Sequence, residues 1–248
     1  MNQLFQSIEE GWKNFIVWIS PYWKSFFEPF APNVASIPKD FLESLLQTIY
    51  MTFWTALWSG ILGTLLGVIL VVIHDGGILE NKPAYRVLDQ LVNIFRSIPF
   101  IILVALLATT TRVLAGTTIG SKAALVPLIV GVIPFFARQV ENALLEVNPG
   151  VIEAAQAMGI RPLGIVFRVY LKEGLPGIVR ASALTLISVI GLTAMAGAVG
   201  GGGLGNLAVS RGYNRFQTDV TLVATVLILI LVFITQFIAK KIENKVSH

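Results

Sequence analysis

A chain of 248 residues that is 55% hydrophobic, only 13% charged and has a mean hydropathy of +0.77 is too apolar for a soluble globular domain and reads as an integral membrane protein. Its formal net charge of +4 is not arranged as a basic face with interleaved aromatics, which argues against a nucleic-acid partner, and the lack of cysteine excludes disulfides and thiolate metal sites.

The N-terminal sequence MNQLFQSIEEGW has no basic region followed by an apolar run, so no cleavable signal peptide is expected. Residues 1–42 are rich in aromatics but carry charges too often for a span, and form an extracytoplasmic or interfacial extension. Trp12, Phe15, Ile16 and Ile19 fall at helical spacing, which suits a helix lying in the membrane interface, with Pro21, Pro29, Pro32 and Pro38 interrupting the remainder of the extension.

Residues 43–248 read as one five-helix domain, an all-α membrane fold with spans at about 44–73, 91–110, 120–138, 180–199 and 220–239. Ser44 to Ile73 is 30 residues without a charge. Its Gly63-x-x-x-Gly67 step lets a helix pack closely, either within the subunit or across a dimer. Arg96 lies in the first turns of the second predicted span, where a guanidinium is costly unless it snorkels or is paired; snorkelling to the cytoplasmic surface is the expectation. Pro99 should bend that helix. Arg112 to Lys122 is expected to be a short polar loop. The third span holds Pro127 and Pro134, and breakers at membrane depth need protein or water beside them. In the fourth region the run Gly200 to Gly205 formally contains G-x-G-x-x-G, but no strand precedes it, so a dinucleotide site is rejected in favour of the wall or mouth of a cavity.

Asn148 to Leu171 interrupts these apolar segments. Asn148 caps, Pro149 suits the first turn, and Gly159 ends a short helix over Val151 to Met158. Placing this loop in the cytoplasm puts eleven Lys and Arg on that side against four in the short loops opposite. The C-terminus is then cytoplasmic and, with five spans, the N-terminus outside. No Cys nucleophile, His pair or intramembrane carboxylate pair is present, so no enzyme is expected, and any ATP must be bound by another polypeptide. The spans lack the carboxylate or lysine relay of an ion-driven carrier, although an ion-coupled secondary carrier or channel for amino acids is the alternative reading.

By itself the loop could be an ordinary cytoplasmic helix. Glu153-Ala154-Ala155, three residues, Gly159, nine residues, Val169 and Leu171 nevertheless resemble the EAA loop of ABC-importer permeases. Lys172 stands where that pattern has proline, with Leu175-Pro176 following four residues later. The segments Asn93 to Leu103, Val140 to Glu146 and Gly197 to Gly205 are similar to the permease of the methionine ABC importer family, and the similarity runs from about Phe41 to the end. The resemblance implies type I importer architecture: a homodimer with its path on the twofold axis, two ATPase subunits that bind ATP and magnesium, and a substrate-binding lipoprotein outside. It assigns no cofactor to this chain and places it in a bacterial inner membrane. It makes Glu153, Ala154, Ala155 and Gly159 the ATPase-coupling residues, and Met195, with Gly191 and Gly197, the gate.

Overall fold

The computed structural model of the protein describes residue 15 and residues 17–246. Trp12 and Ile16, two of the positions behind the interfacial-helix expectation, lie outside the described residues. An aromatic helix α1 spans 17–27 and turns back at Pro29. It is held to the rest by Trp23, whose Nε1–H donates to the Val34 carbonyl at 2.9 Å and whose ring lies 5.5 Å from that of Phe41. Asn33 donates from its backbone and side-chain nitrogens to the Asp219 carboxylate at 2.9 and 3.1 Å, fastening the extension to the start of the last helix.

Helix α2 (Pro38–Ile73) shows why the fold suits a membrane. Its buried stripe is Thr48, Met51, Thr55, Ser59, Gly63 and Gly67, while Phe53, Trp58, Ile61 and Leu65 face outward. Small residues inside and large apolar ones outside invert the soluble pattern, because lipid offers no penalty for exposed hydrocarbon and close backbone approach drives packing. The stripe meets the central helix α6 (Ser121–Leu145): a Cβ at Gly67 would stand 2.6 Å from the Ala137 carbonyl. The Gly63/Gly67 pair is therefore consumed within the subunit.

The second span departs most from expectation. The apolar run expected as one helix over 91–110 is divided among α3 (Lys82–Ser97), α4 (Phe100–Leu106) and α5 (Ala108–Ala115), with α3 and α4 bent by 101°. Pro99 is the cause. It forces Ile98 into extended backbone (φ −74°, ψ 121°) and cannot donate to the preceding turn. The expected polar loop from Arg112 is still helical to Ala115; Gly116, at φ +74°, ends it.

Helix α6 carries Pro127 and Pro134 inside it, both buried. A break that would be exposed to lipid elsewhere is here covered by neighbouring helices, as expected. Helix α7 (Pro149–Ala157) follows, then a helical linker, α8 (Leu175–Ala196), the short α9 (Gly203–Leu207) and α10 (Thr218–Val246). Among the described residues four helices are long and apolar enough to cross a membrane, and five if the bent α3–α4 pair counts as one.

The glycine run between α8 and α9 is not open wall for most of its length. Gly203 donates its N–H to Gln47 Oε1 at 2.7 Å and Leu204 donates to Thr48 Oγ1 at 2.9 Å, so two polar side chains of α2 find their partners in this turn. At φ +77°, and with a Cβ that would fall 2.7 Å from the Thr48 hydroxyl, only glycine fits at 203. These amides are occupied by side chains, so the run has no phosphate cradle to offer.

Candidate functional site

The loop from Asn148 to Leu171 begins with a helix whose two ends are both defined. Asn148 Oδ1 accepts the Gly150 N–H at 2.9 Å, and Pro149 occupies the first helical position, where its missing donor costs nothing. At the other end Ile160 N–H returns to the Ala155 carbonyl at 3.1 Å and Gly159 N–H to Gln156 at 2.9 Å, a Schellman closure that needs the left-handed backbone of Gly159 (φ +72°).

Its faces separate the residues singled out by sequence. Ala155 is 2% exposed and packs with Val71, Leu144, Ile165 and Tyr170, so the smallest side chain serves to draw the helix onto its own subunit. Glu153, Ala154 and Gly159 face solvent. Beside them stand Met158, Leu163 and Phe167, at 72, 72 and 68% exposure. This apolar surface on the membrane-external loop is absent from the sequence reading; the i, i+4 spacing of Leu163 and Phe167 is the signal that could have found it. Lys172 is exposed within a helical turn, Leu171–Glu173, and Leu175-Pro176 supplies the first turn of α8, so the chain still turns into its span without a proline at 172.

A second feature that the sequence did not announce joins α3 to α6. Arg138 donates through Nη1 to Glu141 Oε2 at 2.6 Å and through Nη2 to Asp89 and, at 3.3 Å, to Asn93 Oδ1. Tyr85 donates its hydroxyl to Glu141 Oε1 at 3.0 Å. Glu141 is 1% exposed and Arg138 15%, so these groups form a largely enclosed fastener. Asp89 and Arg138 are 49 residues apart, so no local pattern reveals the pairing.

The third feature is an open groove of about 610 Å³ between α3, α4, α6 and α8, whose apolar walls include Phe100, Leu103, Phe135 and Leu192. Met195 and Gly191, one turn apart on α8, both line it; Met195 is 47% exposed, and a Cβ at Gly191 would meet nothing within 4 Å. Gly197 does not line it. It is buried where α8 gives way to the glycine turn, and a Cβ there would fall 2.8 Å from the Gly202 carbonyl. The structure thus brings Met195 and Gly191 together and leaves Gly197 with a packing task. The Asn148–Leu171 loop lies toward the other end of α8, roughly 30 Å from Met195 at about 1.5 Å per residue.

An all-helical multi-pass chain with a capped loop helix at one end of its spans and an open groove between them is the architecture of a transporter's permease subunit. The chain belongs to the family of binding-protein-dependent transport system inner membrane components, whose model matches residues 61–248. It is 50% identical over 169 residues to the methionine import system permease protein MetP of Bacillus subtilis, covering 68% of this chain and 76% of that one. To the probable D-methionine transport system permease protein MetI of Vibrio cholerae it is 44% identical over 172 residues, 69% of this chain and 76% of the relative. Among solved structures, an inward-facing conformation of the MetNI methionine ABC transporter matches with a TM-score of 0.83 at 45% identity, over 84% of this chain and 97% of that chain. A bacterial alginate ABC transporter at 13% identity, TM-score 0.72, shares the fold.

Proposed function

We propose that this chain lines, as a homodimer, the translocation path of an ATP-driven importer for methionine, of L or D configuration or both. Two separate ATPase subunits, which hold the ATP and magnesium, seat on the loop from Asn148 to Leu171, and an extracytoplasmic lipoprotein delivers the substrate. The N-terminus lies outside and the C-terminus in the cytoplasm, with residues 1–42 as an outer extension and 43–248 as the transport domain.

The observation that carries this reading is the mechanical continuity of the loop. Ala155, Ile165 and Tyr170 share one apolar cluster with Val71 of α2, Val140 and Leu144 of α6 and Ala181 of α8. A force applied to the exposed Glu153, Ala154 and Gly159 side of α7 is therefore delivered at once to the cytoplasmic ends of three spans. Packed interiors deform little, so the loop moves these helices as a unit and does not bend alone. The relatives named above, methionine permeases by description, support the substrate.

Gly159→Val tests the coupling. Its β-branched side chain opposes the left-handed backbone, whereas Gly159→Asn tolerates it. Reconstituted with ATPase and binding protein, the Val variant is expected to lose ATP-dependent methionine uptake and ATPase co-purification, and the Asn variant to keep both. Unchanged uptake by the Val variant, or ion-gradient-driven uptake by the isolated chain, would overturn the reading.

A further inference from the structure

The open groove contains a charge without a counter-charge. Arg96 lines it at the bend between α3 and α4, and among the described residues its guanidinium makes no ion pair or hydrogen bond. Arg96 is itself exposed on this open groove. Its groove neighbours on α6 are Gly131, Val132 and Phe135, and Leu103 Cδ2 lies 3.0 Å from where a Gly131 Cβ would be. Those positions precede the end of α6 at Leu145 by 10–14 residues and belong to its apolar run.

The other polar side chain on the groove is Ser188, which donates to the Leu184 carbonyl at 3.0 Å and keeps lone pairs free to accept. Among the described residues no Asp or Glu lines it. A cation on a mostly apolar wall, with no carboxylate beside it, gains a charge partner when an anion enters the groove.

We propose that Arg96 is a substrate-binding residue of the groove, pairing with the α-carboxylate of the transported amino acid while Phe100, Leu103, Phe135 and Met195 hold its apolar side chain. The assignment rests on the transport reading above and specifies where that substrate binds in the permease itself. Guanidinium and carboxylate match as a two-donor, two-acceptor pair, and a mostly apolar pocket with one or two oriented polar groups is how small ligands are held. Ser188 offers an acceptor for the ammonium.

The test uses the full complex with its ATPase, purified without nucleotide or binding protein, and radiolabelled L-methionine as probe. The wild-type complex is expected to bind the label, with displacement by methionine and not by methionine amide, which lacks the carboxylate charge. Arg96→Gln is expected to weaken binding about ten- to a hundredfold, the worth of one hydrogen-bonded charge pair, and Arg96→Lys to fall between. Co-purified ATPase, and its stimulation by loaded binding protein, should persist in both variants, which separates a lost ligand contact from a misfolded subunit. Equal binding by wild type and Arg96→Gln, equal displacement by the amide, or methionine import without measurable binding to the wild-type complex overturns the assignment and leaves the importer reading standing. Failure of the wild-type complex to import methionine overturns the importer reading first, and this assignment with it.

Discussion

Arg138 and Glu141 face each other one helical turn apart on the central helix, Nη1 to Oε2 at 2.6 Å, and together with Asp89 they tie the bent second span to the middle of the bundle. Because Glu141 is 1% and Arg138 15% exposed, neither charge can relax into water if the other is removed. Arg138→Met is expected to destabilise the subunit by about 3–5 kcal/mol, leaving two carboxylates uncompensated. Replacing Asp89, Arg138 and Glu141 together with Asn, Met and Leu should recover most of that loss. The midpoint of thermal unfolding of the complex in detergent measures both; an unshifted midpoint in Arg138→Met would refute the fastener.

Two glycines of α2 make a controlled pair. A Cβ at Gly67 would stand 2.6 Å from the Ala137 carbonyl and 2.8 Å from Val140 Cβ, whereas at Gly60 nothing lies within 4 Å. Gly67→Ala should therefore cost about 1–3 kcal/mol by prising α2 from α6, and Gly60→Ala should be neutral. The same unfolding measurement decides it, and equal effects at the two positions would contradict the close packing.

Met158, Leu163 and Phe167 are too exposed to stabilise the lone subunit. If the ATPase covers them, Phe167→Ser and Met158→Ser should weaken ATPase retention by about tenfold or more each, as buried anchors do at interfaces, without lowering the unfolding midpoint. Retention is read by titrating the ATPase onto the immobilised permease. A fall in stability with unchanged retention would reverse the interpretation.

Met195 reaches into the groove from α8 with about half of its surface free, and its flexible thioether adapts to whatever packs against it. Met195→Ala is expected to raise basal ATPase activity or to let methionine leak without ATP in reconstituted vesicles, while Gly191→Ala, with empty space at its Cβ, leaves both unchanged. Wild-type behaviour from Met195→Ala would remove its gating role.

The loop helix is legible in the sequence because its signals are local: Asn148 and Pro149 at one end and Gly159 at the other act within a turn of themselves. The face it presents outward is not legible, since the Ala-rich segment divides into Ala155, turned inward, and Glu153 and Ala154, turned out, and that division depends on where Val71 and Tyr170 lie. A bend at Pro99 is expected from the residue alone, but its 101° size is not, because a proline permits a break and the neighbours on α6 set its angle.

Composition and hydropathy were enough to determine a membrane protein, all helical, with its long apolar runs and its charged loops, because insertion into lipid is governed by residue-by-residue transfer and needs no partner. Only the tertiary structure decided that Gly63 and Gly67 serve α6 within the subunit, that Gly197 is wedged in a turn while Met195 and Gly191 open onto the groove, and that Arg138 is paired with Asp89 and Glu141 while Arg96, among the described residues, has no ion pair. The physical reason is common to all of them. Inside a bilayer water gives no signal of which side is in, so the direction of each side chain is set by contacts between segments far apart in the chain.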